Sequence, residues 1–140
     1  MENNNIKANS SFLIWQISNV WKKEIRSQLK KLHLTYVQYI LLAGLQELQT
    51  RQRLVTQIQL SQYLNCGSMV TSMVLRNLKA YGFLKIKTHP KDTRAKILKI
   101  TPAGNQTLVK ARKIMSKFEE SFFSPISGMK SKLKSLVRTS

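Results

Sequence analysis

The 140-residue chain is poor in cysteine (one), proline (three), glycine (five) and acidic residues (six). A single thiol, Cys66, excludes an intrachain disulfide and a multi-thiolate zinc centre. The other soft ligands, His33 and His89, lie far from it in sequence, so no metal and no cofactor is expected. The longest early apolar run, Phe12-Leu13-Ile14-Trp15, is too short for a signal-peptide core or a membrane span. These absences point to a soluble protein of a reducing, cytoplasmic compartment. No nucleophile–base pair, paired carboxylates or phosphate loop is present, so no enzyme is expected. With so few breakers, helices should dominate.

Positive charge is what the chain has in excess. Lys and Arg total 24 against 6 acids, a net charge of +18. Such an excess repels itself in a compact state, and a polyanionic partner is its usual compensation. Nucleic acid is the first candidate, followed by an anionic membrane surface and an RNA assembly. Apolar residues at 42% suffice for the core of one domain.

Periodicity divides the chain. Ile14, Ile17, Trp21, Ile25, Leu29 and Leu32 repeat at helical spacing and predict a helix over 11–32. Thr35-Tyr36-Val37-Gln38 is a capping-box pattern opening a second helix over 36–48, which should bury Val37, Ile40, Leu41, Leu45 and Leu48. A loop is expected over 49–54. Thr56-Gln57-Ile58-Gln59 repeats the box and opens a third helix over 57–64. Asn65-Cys66-Gly67 should make a tight reversal on the glycine, and a fourth helix should run from Ser68 to a stop at Gly82. Two short helices joined by a tight turn outline a helix-turn-helix.

Residues 83–88 and 95–101 read as two strands of period two, joined by the polar tip His89-Pro90-Lys91-Asp92-Thr93-Arg94. One face should meet the core and the other carry Lys85, Lys87, Lys96 and Lys99. Thr101-Pro102 restarts a long helix to about residue 123, and Ser124-Pro125 opens a last one over 126–137. The fold class expected is mainly α (α+β): six helices plus a β-hairpin wing.

The fourth helix has two sides. Val74, Leu75 and Leu78, with Val70 or Thr71, can pack inward, while Ser68, Met69, Ser72, Met73, Arg76 and Lys79 fall largely opposite. Serine hydroxyls and Arg76 suit phosphates or base edges, and methionines suit thymine methyls. Met69 and Met73 fit core or subunit contacts equally well. Thr71 is kept among the candidate DNA contacts. From Arg76 to Lys99 eight cations meet one acid. Lys91, Arg94 and Lys96 place cations where a wing would cross the backbone into the minor groove. Asp92 should bond tip amides or pair with Arg94.

These residues resemble the MarR-type transcriptional regulators, winged-helix dimers. The family's wing signature, Asp-x-Arg then Leu-Thr-x-x-Gly, corresponds to Asp92-Thr93-Arg94, Leu98 and Ile100-Thr101-Pro102-Ala103-Gly104. One branch carries His-Pro-x-Asp-Thr-Arg-Ala, matched by residues 89–95, and Ser-x-Val-Leu-Arg, matched by Ser72-Met73-Val74-Leu75-Arg76. Ile86, Lys79 and Gly67 depart from the usual arginine, glutamate and polar cap. The resemblance implies a single domain over 1–140, with 11–32 and 102–138 forming a homodimer and 35–101 forming the lobe that grips double-stranded DNA. It implies a repressor on a pseudo-palindromic operator. It also implies a small-molecule effector, commonly an aromatic acid, in a cleft that Trp15, Trp21, Tyr36 and Tyr39 could line, although core packing explains each of them too.

Trp15, Trp21, Phe118, Phe122, Phe123, Ile126, Met129 and Leu133 exceed what a monomer of this pattern covers, which favours a twofold dimer with recognition helices roughly 34 Å apart. The competing reading is a nonspecific nucleoid or RNA-binding protein, encouraged by charge spread beyond the wing. A membrane-surface role for the basic segment from Lys130 to Arg138 lacks a large apolar face.

Overall fold

The computed structural model describes residues 5–137. Helix α1, Ser10–Leu29, continues as a 3-10 turn, Lys30–Leu32, and stops at His33 in the left-handed region (φ 55°). The helix expected to Leu32 therefore ends three residues early, tightened in its last turn as helix ends often are. Helix α2, Tyr36–Arg51, starts with both halves of its capping box formed: Gln38 N–H donates to Thr35 Oγ1 and Thr35 N–H to Gln38 Oε1. It outruns the expected end because Leu48 is buried and its carbonyl still accepts from Gln52 N–H. Of the residues expected on the core face, Val37 is exposed and Ile40 only half-buried, while Leu42 and Ala43 are buried.

The start of the expected loop over 49–54 belongs to α2, and a two-residue strand, β1 (Val55–Thr56), follows directly after it. It precedes helix α3, Gln57–Leu64, whose capping box is also complete, and helix α4, Ser68–Ala80. The hairpin of β2 (Leu84–Thr88) and β3 (Lys96–Ile100) pairs antiparallel, and β1 adds to the far side of β3 to give the order β1-β3-β2. Helix α5, Pro102–Phe123, is capped by Thr101, whose Oγ1 accepts from Gly104 N–H. The Ser124-Pro125 pair opens a 3-10 turn rather than the last helix. Gly128 (φ 89°) then reverses the chain, so α6 begins only at Lys130 and ends at Leu136. Arg138, expected in that segment, lies outside the described residues.

The core is leucine-rich. Leu41, Leu42, Leu45 and Leu48 of α2 meet Leu60 of α3, Leu75 and Leu78 of α4, and Leu84 and Leu98 of the sheet. Helix α5 extends it with Leu108, Ala111, Met115 and Phe118, which reach Ile25 and Leu29 of α1. Phe118 thus belongs to the chain's own core, as do the partly buried Trp21 and Phe122 packed against it. A polar seam ties the lobes. Tyr63 Oη of α3 donates to Glu47 of α2 (2.8 Å), Glu47 pairs with Arg112 of α5 (3.7 Å), and Arg112 also donates to Gln46 (3.0 Å). The Glu47 bond holds the Tyr63 hydroxyl above its ordinary range.

Candidate nucleic-acid interface

The turn between α3 and α4 is set by Asn65, not by the glycine expected to make it. Asn65 takes the left-handed conformation (φ 51°), whereas Gly67 is ordinary (φ −57°). Ser61 and Cys66 clamp the turn: Cys66 N–H donates to the Ser61 carbonyl, and Ser61 Oγ donates to the Cys66 carbonyl. Gly67 sits at the N-cap of α4 without a side-chain cap, so the first amides of α4 face solvent with a positive dipole end behind them.

Helix α4 buries Thr71, Val74, Leu75 and Leu78. Ser68, Met69, Met73, Arg76 and Lys79 are exposed and Ser72 is half-buried. Met69, at 85% exposure, and Met73 serve neither core nor fold. Thr71, expected either on the packed strip or among the DNA contacts, is on the packed strip and cannot reach DNA. Its hydroxyl is fully enclosed and has no hydrogen-bond partner among the described residues, because position 71 shares a face with Val74, Leu75 and Leu78. Val70 is the exposed member of that pair. Asn77, four residues after Met73, is also exposed on the reading side; the same helical spacing would have found it. An asparagine amide there suits an adenine edge.

The wing is locally rigid. His89 Nδ1 accepts from the amides of Lys91 (3.0 Å) and Asp92 (3.2 Å), and His89 N–H donates to the Ala95 carbonyl. Asp92 Oδ1 accepts from Arg94 N–H (3.1 Å) and lies 3.7 Å from the Arg94 guanidinium. Asp92 therefore does both things expected of it. Arg94 projects at the tip with its side chain 95% exposed, beside the exposed Lys91. At the wing's base Thr101 Oγ1 donates to the Gly82 carbonyl, and Thr101 N–H to the Phe83 carbonyl. A Cβ on Gly104 would fall 2.1 Å from that Phe83 oxygen, which is why this motif ends in glycine.

Lys96 requires a correction. The register pairs Thr88 with Lys96, Lys87 with Ile97 and Lys85 with Lys99. Opposed residues share a face, so Lys96 lies on the face of Leu84, Ile86, Leu98 and Ile100, beyond the core near the tip. The outer face carries Lys85, Lys87, Lys99 and Ile97. Residues 96 and 99 are an odd number apart and never shared a side.

The four aromatic candidates for a ligand cleft separate. Trp21 meets Tyr36 edge-on (4.5 Å), Tyr36 neighbours Tyr39 (6.1 Å), and burial pushes both tyrosine hydroxyls up. Trp15 is 61% exposed and stacks on Phe12 instead (5.8 Å). No helix among the described residues is long and apolar enough to cross a membrane.

Residues 34–104 match the family described as winged helix DNA-binding domain. A Bacillus subtilis protein described as the uncharacterized HTH-type transcriptional regulator YdcH is 30% identical over 112 residues, 80% of this chain and 76% of that protein. Among solved structures, an S. aureus MepR–DNA complex superposes with a TM-score of 0.77 at 22% identity, covering 93% of this chain and 91% of that one. A mutant of E. coli MarR complexed with operator DNA gives 0.78 at 16% identity, with 90% and 91% covered. The two superpositions show the shared fold, that of MarR and MepR, and the family and sequence matches add descent: the chain belongs to the winged-helix DNA-binding family of HTH-type transcriptional regulators.

Proposed function

We propose that the chain is a homodimeric repressor that binds a pseudo-palindromic operator in double-stranded DNA. The observation that carries this is the exposed side of α4. Two methionines, a serine, Arg76 and Asn77 stand in solvent on a helix whose other side is fully packed, next to a wing that holds out Arg94. Such a surface is costly unless a partner covers the methionines, and the surrounding cations select a polyanion. Ser68 and Ser72 meet phosphates or base edges, Arg76 and Asn77 read base edges, and the α4 amides take a phosphate. Lys79, Lys91 and Lys96 neutralise backbone, and Arg94 enters the minor groove.

The dimer reading rests on the apolar residues left outside. Leu13, Ile14, Trp15, Ile17 and Val20 on α1, with Ile126, Met129, Leu133 and Leu136 at the other end of the chain, are all exposed. A twofold copy that buries them sets two α4 helices roughly one DNA turn apart. In the MepR and MarR complexes described above the protein is bound to DNA, which supports this reading.

The test is footprinting on the promoter region next to the coding sequence, followed by competition between the footprinted duplex and random duplex at fixed salt. Preference for the footprinted site by at least about a thousandfold supports specific regulation. Equal affinity for both duplexes replaces it with nonspecific nucleic-acid packaging, the role that the net charge of +18 alone would favour.

A further inference from the structure

The surface assigned to DNA accounts for only part of the outer face of the wing: Lys85 and Lys87 also line a groove with Lys79 of α4, whereas Lys99 and Ile97 do not. The outer face holds a cavity of about 740 Å³ lined by Leu54, Ile97, Pro102 and Asn105 and by three lysines, Lys85, Lys87 and Lys99. Neither Arg94 nor any exposed residue of α4 lines it. Its size falls within the range of small-molecule sites.

Two features of this face are uncompensated. Lys85 stands directly opposite Lys99 in the β2–β3 register, and like charges so placed repel. None of the three lysines has an ion-pair partner among the described residues. Ile97, meanwhile, occupies the solvent-side parity that the lysines share, next to the exposed Leu54 of the adjoining segment. A phosphate group would answer the lysines and leave Ile97 and Leu54 wet. A neutral apolar molecule would cover the isoleucine and leave the ammonium groups repelling. Lysine stems can fold over apolar surface by themselves, yet here a cavity remains between them.

We infer that the wing's outer face, between Lys85, Lys99 and Ile97, is a binding site for a small amphipathic monoanion, a carboxylate on an apolar body. The carboxylate sits between Lys85 and Lys99, with Lys87 beside it. The apolar body lies on Ile97 and Leu54, and Asn105 at the start of α5, whose Oδ1 accepts from Gln46 Nε2 (3.0 Å), leaves its amide N–H groups to donate at the rim. The site does not depend on the regulatory reading, since its occupancy is measured without DNA.

The experiment is a titration of the isotope-labelled full chain, followed by amide correlation spectra at constant ionic strength. The probes are octanoate and naphthoate, with octanol and inorganic phosphate as the apolar-only and charge-only arms. Saturable shifts at Leu54, Ile97, Lys99 and Asn105 with either carboxylate, absent with octanol and phosphate, support the site; the tighter carboxylate identifies an aliphatic or aromatic body. Lys99→Glu should weaken binding about tenfold. Lys22→Glu, an exposed position on α1 away from the cavity, should leave it unchanged. Equal shifts with phosphate would make the face a plain anion surface and overturn the proposal. So would equal shifts with octanol, no shifts at all, or an affinity indifferent to Lys99→Glu.

Discussion

The winged lobe and the helical ends dispose of their surfaces in opposite ways. In the lobe, α2, α3, α4 and the sheet close a leucine core among themselves, and most of what they leave outside is cationic or polar apart from a few residues such as Met69 and Met73. At the ends, α1 buries only Ile25 and Leu29 near its C-terminus, α6 buries nothing, and between their lysines they leave isoleucine, leucine, valine and tryptophan outside. Exposed charge calls for a polyanion, and exposed apolar stripe calls for more apolar surface. One chain thus advertises two different partners at two ends of its structure.

The sharpest way to break this contrast is to charge the stripe. Ile14→Glu with Ile17→Glu would place two carboxylates against apolar surface in a dimer but cost little in a free subunit, where both side chains already face water. Self-association should weaken by at least about 3 kcal/mol, on the order of a hundredfold, in sedimentation equilibrium. The unfolding midpoint of the winged lobe, followed by proteolysis of its core peptides, should hold. An unchanged association constant would remove α1 from the interface.

Arg94→Ala probes the other surface. Its ion pair with Asp92 is long and exposed, so thermal stability should not change. Operator affinity should fall by about 1–3 kcal/mol, and the slope of log K against log salt should lose about 0.9 if the lost contact is to phosphate. The same loss in Arg76→Ala would place both the wing and α4 on DNA. If neither variant weakened binding, the assigned surface would be wrong.

Much of the lobe was legible because its signals are local. Both capping boxes, the Thr101 cap with Pro102 and the left-handed Gly82 each bind a residue type to one backbone geometry. The misreadings occur where geometry depends on partners distant in sequence. β1 is two residues long and exists only because β3 pairs with it, so no period announces it. The delay of α6 depends on Gly128, whose turn could not be weighed against a plausible Ser-Pro cap. Lys96 was misplaced although parity was available: Lys-Ile-Leu-Lys-Ile is not a period-two pattern, and forcing it into one hid Ile97 on the outer face. The exposed side of α4 follows from helical spacing, which left Val70 and Thr71 as alternatives for the packed side; the leucine core around Val74, Leu75 and Leu78 selects Thr71.

The Thr71 hydroxyl offers the smallest and most discriminating change. Thr71 Oγ1 is enclosed and has no partner among the described residues, and an enclosed, unsatisfied hydroxyl costs about 1–3 kcal/mol. Valine has the same shape with a methyl in place of the hydroxyl, so Thr71→Val keeps the packing against Val74, Leu75 and Leu78 and removes the desolvation cost. The fold should gain about 1 kcal/mol, read as a higher denaturant midpoint at unchanged slope. Operator affinity should not move, since position 71 faces the core while Met69, Met73 and Arg76 face out. A contact residue would behave the other way, losing affinity with the hydroxyl and leaving stability unchanged. One substitution therefore distinguishes the buried side of α4 from its reading side. A Thr71→Val protein that bound DNA more weakly would rotate the whole helix assignment.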